Sequence, residues 1–229
     1  MKELLSISIL PLLVTLGGFQ IGLTLQKKLK SAIVNPTLIS VVLVLGFIAL
    51  SGMENTDYQA GMSKMSWLLT PCTVCLAIPM YQHFQTLKRN LPAIVVGIGA
   101  GAFSCLAMVL LWGLLPGIDR TLVVSMLPKS VTSAIGAPLS EMGGGLTSVT
   151  TAVIIVTGIL ANIMGSAWCK LFKLTDPVAQ GVAFGTAGHV IGTTRASQLS
   201  DLAGATASLS LVTAGLMTAV VFPLVLQLV

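Results

Sequence analysis

The stretch Gly185-Thr186-Ala187-Gly188-His189-Val190-Ile191-Gly192-Thr193-Thr194-Arg195 decides the fold of this chain, because it interrupts a segment, 178–201, that is long enough to cross a bilayer. Its glycines Gly188 and Gly192 permit a helix to unwind. Arg195 supplies a planar guanidinium that can hold a carboxylate through two hydrogen bonds. The stretch therefore predicts a broken helix that carries a cation.

The rest of the chain is strongly apolar. Of its 229 residues, 55% are hydrophobic and 8% are charged, whereas roughly 25% are charged in an average globular protein. Too little polar surface remains to cover a water-soluble globule. We therefore expect an all-α polytopic membrane protein, and the composition excludes soluble enzymes, nucleic-acid binders and secreted disulfide scaffolds. The net charge of +5 fits a membrane chain whose basic residues collect in cytoplasmic loops.

The four cysteines lie in or beside apolar runs. Cys72 and Cys75 form a C-x-x-C pair, but neither a second pair nor a nearby histidine completes a metal site. We expect these side chains to pack inside helices, and we expect neither a metal nor a cofactor.

The charged positions separate the apolar stretches into candidate spans. Six stretches are predicted to cross the membrane in full, and two more, 121–142 and 178–201, are interrupted by Pro, Gly, Ser, Thr and a basic residue. The six are 4–26, 34–52, 65–82, 91–115, 146–168 and 203–228.

Charge also predicts the orientation. The loops after the first and third spans are rich in Lys and Arg, so the positive-inside rule places them in the cytoplasm and the N-terminus outside. If both interrupted segments cross fully, the basic residues of the loops and N-terminus divide as five inside against five outside. If both re-enter on the side from which they came, seven lie inside against three outside, namely Lys2, Lys64 and Arg120. The rule favours re-entry.

Re-entry would make the second half of the chain an inverted repeat. Each hairpin is then followed by an ordinary span of opposite direction. We predict an N-terminal scaffold part, 1–120, and an inverted-repeat part, 121–229, within one integral membrane domain of about six full spans plus two broken or re-entrant segments. Spans rich in small residues also allow a homodimer.

The first interrupted segment contains Leu127-Pro128-Lys129-Ser130-Val131-Thr132-Ser133. Pro128 removes a backbone donor and forces a break, so a helical piece is expected to begin with free N–H groups at residues 130–132. A helix N-terminus flanked by a lysine and hydroxyls is suited to an anion. The substrate-binding residues predicted from both segments are Lys129, Ser130, Thr132, Thr193, Thr194 and Arg195.

The free-energy cost of placing Lys129 and Arg195 in the membrane indicates a functional role for both. A Lys or Arg at the centre of a membrane helix costs about 2.5–3.5 kcal/mol, and such residues usually line a pathway. The alternatives are structural ion pairs, Lys129 with Glu141 and Arg195 with Asp201, or side chains that reach the interface. Ser130 and Lys129 are sequence neighbours whose side chains diverge on a helix, so no catalytic pair is expected.

Three residues could carry a coupling proton. His189 titrates near physiological pH, although it could equally serve as a neutral hydrogen-bond partner for unwound backbone. Glu141 and Asp201 could carry the proton or lie among the lipid headgroups as hairpin-end charges. In the third span, Pro71 is predicted to kink the helix.

These residues resemble the LrgB/CidB family of bacterial inner-membrane proteins, to which the membrane part of the plastid glycolate/glycerate transporter is also similar. The resemblance covers nearly the whole chain, and its most specific portions are 127–133, 185–196 and 69–81. Relatives commonly have P-K-S-V-T-T-P, where this chain has Ser133 and Ala134 after Thr132. They also have a glycine after the histidine, which here precedes it as Gly188.

The resemblance implies two functions. Some members are holin-like or antiholin-like proteins that modulate murein hydrolase activity and lysis, usually with a small LrgA/CidA-type membrane partner. Others are similar to carriers of small monocarboxylates such as pyruvate, glycolate or glycerate. Opposed broken segments with one cation each suit an anion-binding carrier. We therefore expect a proton-coupled monocarboxylate transporter in the bacterial inner membrane, with the lysis regulator as the alternative.

Overall fold

The structure, a computed structural model, describes residues 9–29 and 35–229. Each regular element in these ranges is helical, which confirms the all-α class for this part of the chain. The predicted start of the first span at residue 4 and the N-terminus lie outside the described residues. The helices are α1 (Leu10–Leu29), α2 (Pro36–Ser51), α3 (Asn55–Trp67), α4 (Leu69–Cys75), α5 (Ala77–Gln82), α6 (Phe84–Arg89), α7 (Leu91–Gly113), α8 (Arg120–Met126), α9 (Ser133–Met142), α10 (Thr147–Leu171), α11 (Pro177–Leu199) and α12 (Asp201–Val225), followed by a 3-10 turn, Leu226–Leu228.

Within the described residues, three helices are long and apolar enough to cross a membrane: α7, α10 and α12 with its 3-10 turn. They coincide with the predicted spans 91–115, 146–168 and 203–228. Helix α2 is apolar but has 16 residues, fewer than the roughly 20 that a span usually needs. The structure thus supports a helical membrane protein, and the full count of six spans stays a prediction.

The predicted third span, 65–82, is not one helix. The chain breaks after Trp67 and again after Cys75. Pro71 and Pro79 lie four residues after these two positions, and a proline has no N–H to donate to the carbonyl of the fourth residue before it. The kink expected at Pro71 is therefore corrected to a helix end one turn earlier, with Pro71 inside the first turn of α4.

Residue contacts divide the chain into two units, Met1–Cys75 and Leu76–Val229. In the first unit, Gly22 of α1 lies against the backbone of Pro36 at the start of α2. Asn35 caps α2, and its side-chain oxygen accepts from the Thr37 N–H at 2.8 Å. The predicted division at residue 120 falls inside the second unit, between α7 and α8, and stays a prediction.

In the second unit, α8 and α9 form a first helical hairpin whose tip is Leu127–Thr132. Gly143, at the end of α9, lies against the side chain of Val124 in α8. Ser125 Oγ accepts from the Leu146 N–H at 2.7 Å. The residues after the tip therefore return alongside the residues before it.

Helix α11 forms a second hairpin. Its backbone leaves helical geometry at His189, where φ is 42° and ψ is −135°, so the first arm is 177–188 and the second arm is 190–199. Gly192 lies against the backbone carbonyl of Phe184, although two residues eight apart in a straight helix would be separated by about 12 Å. The sequence predicted that the helix unwinds at Gly188 and Gly192. In the structure the helix breaks directly after Gly188, and the two arms touch at Gly192.

Helix α10 packs along both hairpins, one after the other. Near its start, Thr150 Oγ1 donates to Ser140 Oγ of the first hairpin at 2.7 Å. Near its end, Ser166 Oγ accepts from Arg195 Nε of the second hairpin at 3.0 Å. The two hairpins thus extend along α10 from opposite ends.

The hairpins meet at Ile154 of α10. Its side chain packs against Gly136, just beyond the first tip. Its carbonyl lies 2.9 Å from His189 Nε2 at the second tip. Helices α7 and α12 close the remaining sides: Gly101 of α7 lies against Thr186 of the second hairpin, and Gly215 of α12 lies against Ile135 of the first. Both hairpin ends therefore contact the same residue near the middle of α10.

Candidate functional site

A small cavity of about 10 Å³ lies between the first tip and the first arm of the second hairpin. This volume is about what one water molecule requires. The cavity is lined by residues of both hairpins, α7 and α12: Ala102, Cys105, Leu106, Leu127, Ser130, Val131, Thr186, Ala214 and Thr218. It is the point at which opposed elements expose polar groups to one another.

Two hydroxyls at this cavity are buried without a hydrogen bond. Ser130 Oγ and Thr186 Oγ1 find no partner within the described ranges, and Thr186 is 4% exposed. Leaving such a group unsatisfied costs about 1–3 kcal/mol. Other buried hydroxyls here are satisfied; Ser208 Oγ, for example, donates to the Gly204 carbonyl at 2.9 Å. The unpaired groups are therefore available to a ligand.

A larger groove of about 360 Å³ adjoins this small cavity, and Cys105 lines both. Among the described residues that line the groove, Lys129 alone carries a charge. The others, which are mostly apolar, are Thr157, Leu160, Ala161, Met164, Gly165, Trp168, Cys169, Leu174, Ala183, Phe184 and Ala187, together with Cys105. Lys129 thus lines the groove next to the cavity that holds the two unpaired hydroxyls, and its role in binding an anion stays a prediction.

The first tip owes its shape to Pro128, which is fully buried. Helix α8 ends at Met126, and the Lys129 N–H donates to the Met126 carbonyl at 3.1 Å. The Val131 N–H donates to the Pro128 carbonyl at 3.2 Å. The chain is thus non-helical from Leu127 to Thr132, with Pro128 inside this turn.

Free N–H groups were expected across residues 130–132, and this detail is wrong for Val131, whose N–H is bonded within the turn. Thr132 takes the N-cap position with an extended backbone, and α9 begins one residue later, at Ser133. The tip closes with turn hydrogen bonds before the helix starts, so fewer backbone donors remain for an anion.

The second tip is held by His189. Because a carbonyl oxygen only accepts, the 2.9 Å contact with Ile154 means that Nε2 carries the proton. The imidazole also packs against Gly158, and Thr193 Oγ1 donates to the His189 carbonyl at 2.9 Å. These contacts suit the alternative that His189 is a structural hydrogen-bonding residue. Its side chain bonds to the backbone of α10, however, and not to unwound backbone. Proton coupling through His189 stays a prediction.

Substitutions at His189 should separate its backbone strain from its side-chain contacts. In a helix interior, Gly is about 1 kcal/mol less favourable than Ala, but a positive φ costs a residue with a Cβ about 1–2 kcal/mol. We expect His189→Gly to be at least as stable as His189→Ala, with both less stable than wild type, in thermal unfolding of the purified protein. A variant His189→Ala more stable than His189→Gly by a full helix-interior difference would contradict the observed break.

Arg195 does not line either cavity. Its Nε donates to Ser166 Oγ at 3.0 Å and its Nη1 donates to Gln198 Oε1 at 2.9 Å. Thr194 is exposed, and its hydroxyl donates to the Val190 carbonyl at 3.1 Å. The sequence predicted that Arg195, Thr194 and Lys129 share one binding site. The structure does not bring them together around one pocket, because the second arm of the hairpin places Arg195 and Thr194 further along α10.

The candidate acids lie away from the tips. Glu141 is exposed near the end of α9, and Asp201 is exposed in the first turn of α12, where a negative charge favours the helix dipole. Neither of the alternative ion pairs, Lys129 with Glu141 or Arg195 with Asp201, forms within the described part of the chain. Pro71 belongs to the other unit.

Sequence reasoning missed Thr186 as a site residue. Its signal was its position in the interrupted segment between Gly185 and Ala187, where Gly185 packs against the backbone of Ala207 and lets the hairpin approach α12 closely. A hydroxyl among such closely packed small residues has few acceptors.

Comparisons with known proteins cover both hairpins. The model of the LrgB-like family matches residues 15–228. The antiholin-like protein LrgB of Bacillus subtilis (strain 168) is 32% identical to this chain over 219 residues, which cover 95% of each chain. No solved structure matches the chain.

Proposed function

The chain belongs to the LrgB-like family, and we propose, on the chemistry of the two hairpin ends, that it is a membrane carrier of a small organic anion, a monocarboxylate of the pyruvate, glycolate or glycerate type. The observation that supports the proposal is the pair of buried hydroxyls without partners in the described part of the chain, Ser130 and Thr186, which line one small cavity between the two hairpins, while Lys129 lines the adjoining groove. The protein would act in the bacterial inner membrane with its N-terminus outside.

The arrangement of the hairpins supports this proposal. Many carriers bind their substrate near the bilayer midplane, between inverted repeats that contain broken helices. Here the first hairpin with α10 would form one repeat and the second hairpin with α12 the other. Their junction near Ile154 would then lie at membrane depth.

The chemistry of the junction suits a carboxylate. Ser130 and Thr186 can donate two hydrogen bonds to its oxygens, and Lys129 can neutralise its charge. The cavity of about 10 Å³ is too small for the three heavy atoms of a carboxylate group. The tips must therefore separate to admit substrate, and the conformation described here would be a closed one. His189, Glu141 and Asp201 are the candidates for a coupled proton.

A second candidate function is favoured by the name of the relative. An antiholin-like regulator would act on murein hydrolase activity and lysis together with a small LrgA/CidA-type membrane partner. The comparison supports this function more directly than it supports transport. Such a regulator requires neither unpaired hydroxyls nor a lysine in the groove beside them.

Uptake into proteoliposomes distinguishes the two functions. We expect saturable uptake of at least one labelled monocarboxylate by the wild-type protein, and a loss of about tenfold or more in Lys129→Met, because a charge-assisted hydrogen bond contributes about 1.5–3 kcal/mol. The matched control is Lys88→Met at the end of α6, which lines neither cavity and should transport normally. Absence of uptake by folded wild-type protein, with a lysis phenotype that requires the small partner, would reject the carrier and favour the regulator.

A further inference from the structure

The first arm of the second hairpin packs against α7 at two glycines one turn apart. A Cβ added at Gly97 would lie 3.1 Å from Val182 Cγ1, and a Cβ added at Gly101 would lie 2.8 Å from Thr186 Cγ2. Carbon atoms in favourable contact are about 3.5–4.0 Å apart. The γ-methyl group of Thr186 therefore occupies the space that a side chain at Gly101 would need.

Thr186 differs from other helical threonines in its hydrogen bonding. A threonine hydroxyl in a helix commonly bonds to the carbonyl of the third or fourth residue before it. Thr15, Thr193 and Thr206 donate to the carbonyls four residues earlier at 2.7, 2.9 and 2.8 Å. Thr186 also lies in a helical arm, four residues after Val182. Its Oγ1 nevertheless has no partner among the described residues, and Thr186 lines the small cavity. A tertiary contact therefore sets its rotamer.

We propose that Gly101 is a positioning residue for the anion site. Gly101 leaves room on α7 for the γ-methyl group of Thr186, and this contact keeps the Thr186 hydroxyl directed at the cavity and away from the Val182 carbonyl. The methyl and the hydroxyl share one Cβ, so fixing the first fixes the second. The inference rests on the proposed function: an unpaired buried hydroxyl costs free energy in the protein, and a ligand that pairs with it recovers that cost.

Alanine at Gly101 should act through Thr186. The added Cβ would displace the methyl group, and rotation to the other χ1 rotamer that threonine adopts in helices would carry the hydroxyl towards the Val182 carbonyl. The substrate carboxylate would lose one hydrogen bond. We therefore expect Gly101→Ala to raise KM for monocarboxylate uptake by about tenfold or more, with little change in the maximal rate.

The matched control is Gly97→Ala, one turn earlier on α7. Its Cβ would press on Val182, which lines neither the small cavity nor the groove. KM should therefore stay at the wild-type value in this variant. Equal rises of KM in Gly97→Ala and Gly101→Ala would show a general effect of packing between α7 and α11, and would overturn the positioning role.

Thr186→Ser separates the methyl group from the hydroxyl. This variant retains the donor but lacks the group that contacts Gly101, so its hydroxyl is free to bond to the Val182 carbonyl. Breaking that bond on substrate binding should raise KM by about fivefold. In the Thr186→Ser background, Gly101→Ala should have no further effect, because no methyl group remains to be displaced. A rise of KM that is equally large in both backgrounds would contradict the proposal.

The measurements are the KM and maximal rate of uptake of a labelled monocarboxylate into proteoliposomes, with thermal unfolding to show that each variant is folded. Thr186→Ser tests the methyl contact even if Gly101→Ala does not fold. Wild-type KM values in Gly101→Ala and Thr186→Ser, with uptake still lost in Lys129→Met, would reject the positioning role and keep the carrier. Absence of uptake by folded wild-type protein would reject the carrier and this inference with it.

Discussion

The double variant Ser130→Ala/Thr186→Val should lose monocarboxylate uptake by about a hundredfold while its melting temperature stays equal to that of wild type or rises by a few degrees. Each hydroxyl would donate to an ionised carboxylate, and a hydrogen bond to a charged group contributes about 1.5–3 kcal/mol, so the loss of two corresponds to about a hundredfold or more in affinity. Neither hydroxyl has a partner in the closed protein. Removing them therefore takes away a desolvation cost and no native hydrogen bond.

The measurements are uptake into proteoliposomes and thermal unfolding of the same preparations. Thr206→Val/Ser208→Ala is the matched control, because these buried hydroxyls donate to the carbonyls of Leu202 and Gly204 at 2.8 and 2.9 Å. The control should lose stability and retain uptake. The binding role of Ser130 and Thr186 is wrong if their double variant transports like wild type, and their lack of partners is contradicted if the variant is clearly less stable.

The long apolar helices could be predicted from the sequence because their signal is local. Helices α7, α10 and α12 each contain a stretch of span length with high mean hydropathy and few charged residues, and hydropathy alone identifies them. The break near Pro128 was also predictable, since a proline has no N–H to donate to the carbonyl four residues earlier. This loss does not depend on tertiary contacts. The same rule at Pro71 and Pro79 locates the ends of α3 and α4, but the apolar composition of 65–82 suggested one span.

The composition of the site depended on contacts that no local pattern encodes. Arg195 lies six residues beyond the second tip, and only the reversal of the chain at His189 determines that it meets Ser166 and not Lys129. Thr186 was missed because its lack of a partner arises from the packing of four separate elements around one small cavity. Residue type and spacing therefore singled out Lys129 and Ser130 as binding candidates, and the fold determined which residues lie next to them.

The variant Gly192→Ala should destabilise the protein by about 3 kcal/mol or more, because the two arms of α11 touch at this glycine. A Cβ at this position would overlap the backbone carbonyl of Phe184, and overpacking typically costs about 1–3 kcal/mol even where side chains can adjust. A backbone carbonyl inside a helical arm cannot turn away. We expect the melting temperature in detergent to fall by about 6–12 °C.

The matched control is Gly99→Ala in α7, where a Cβ would meet no atom within 4 Å. Replacing a helical glycine by alanine at such a position stabilises by about 0.5–1 kcal/mol, so this variant should melt slightly above wild type. If α11 were straight, Gly192 would lie far from the Phe184 carbonyl. Gly192→Ala and Gly99→Ala would then stabilise the protein to a similar degree. Equal melting temperatures for the two variants would therefore reject the second hairpin, and with it the junction at which Ser130 and Thr186 meet.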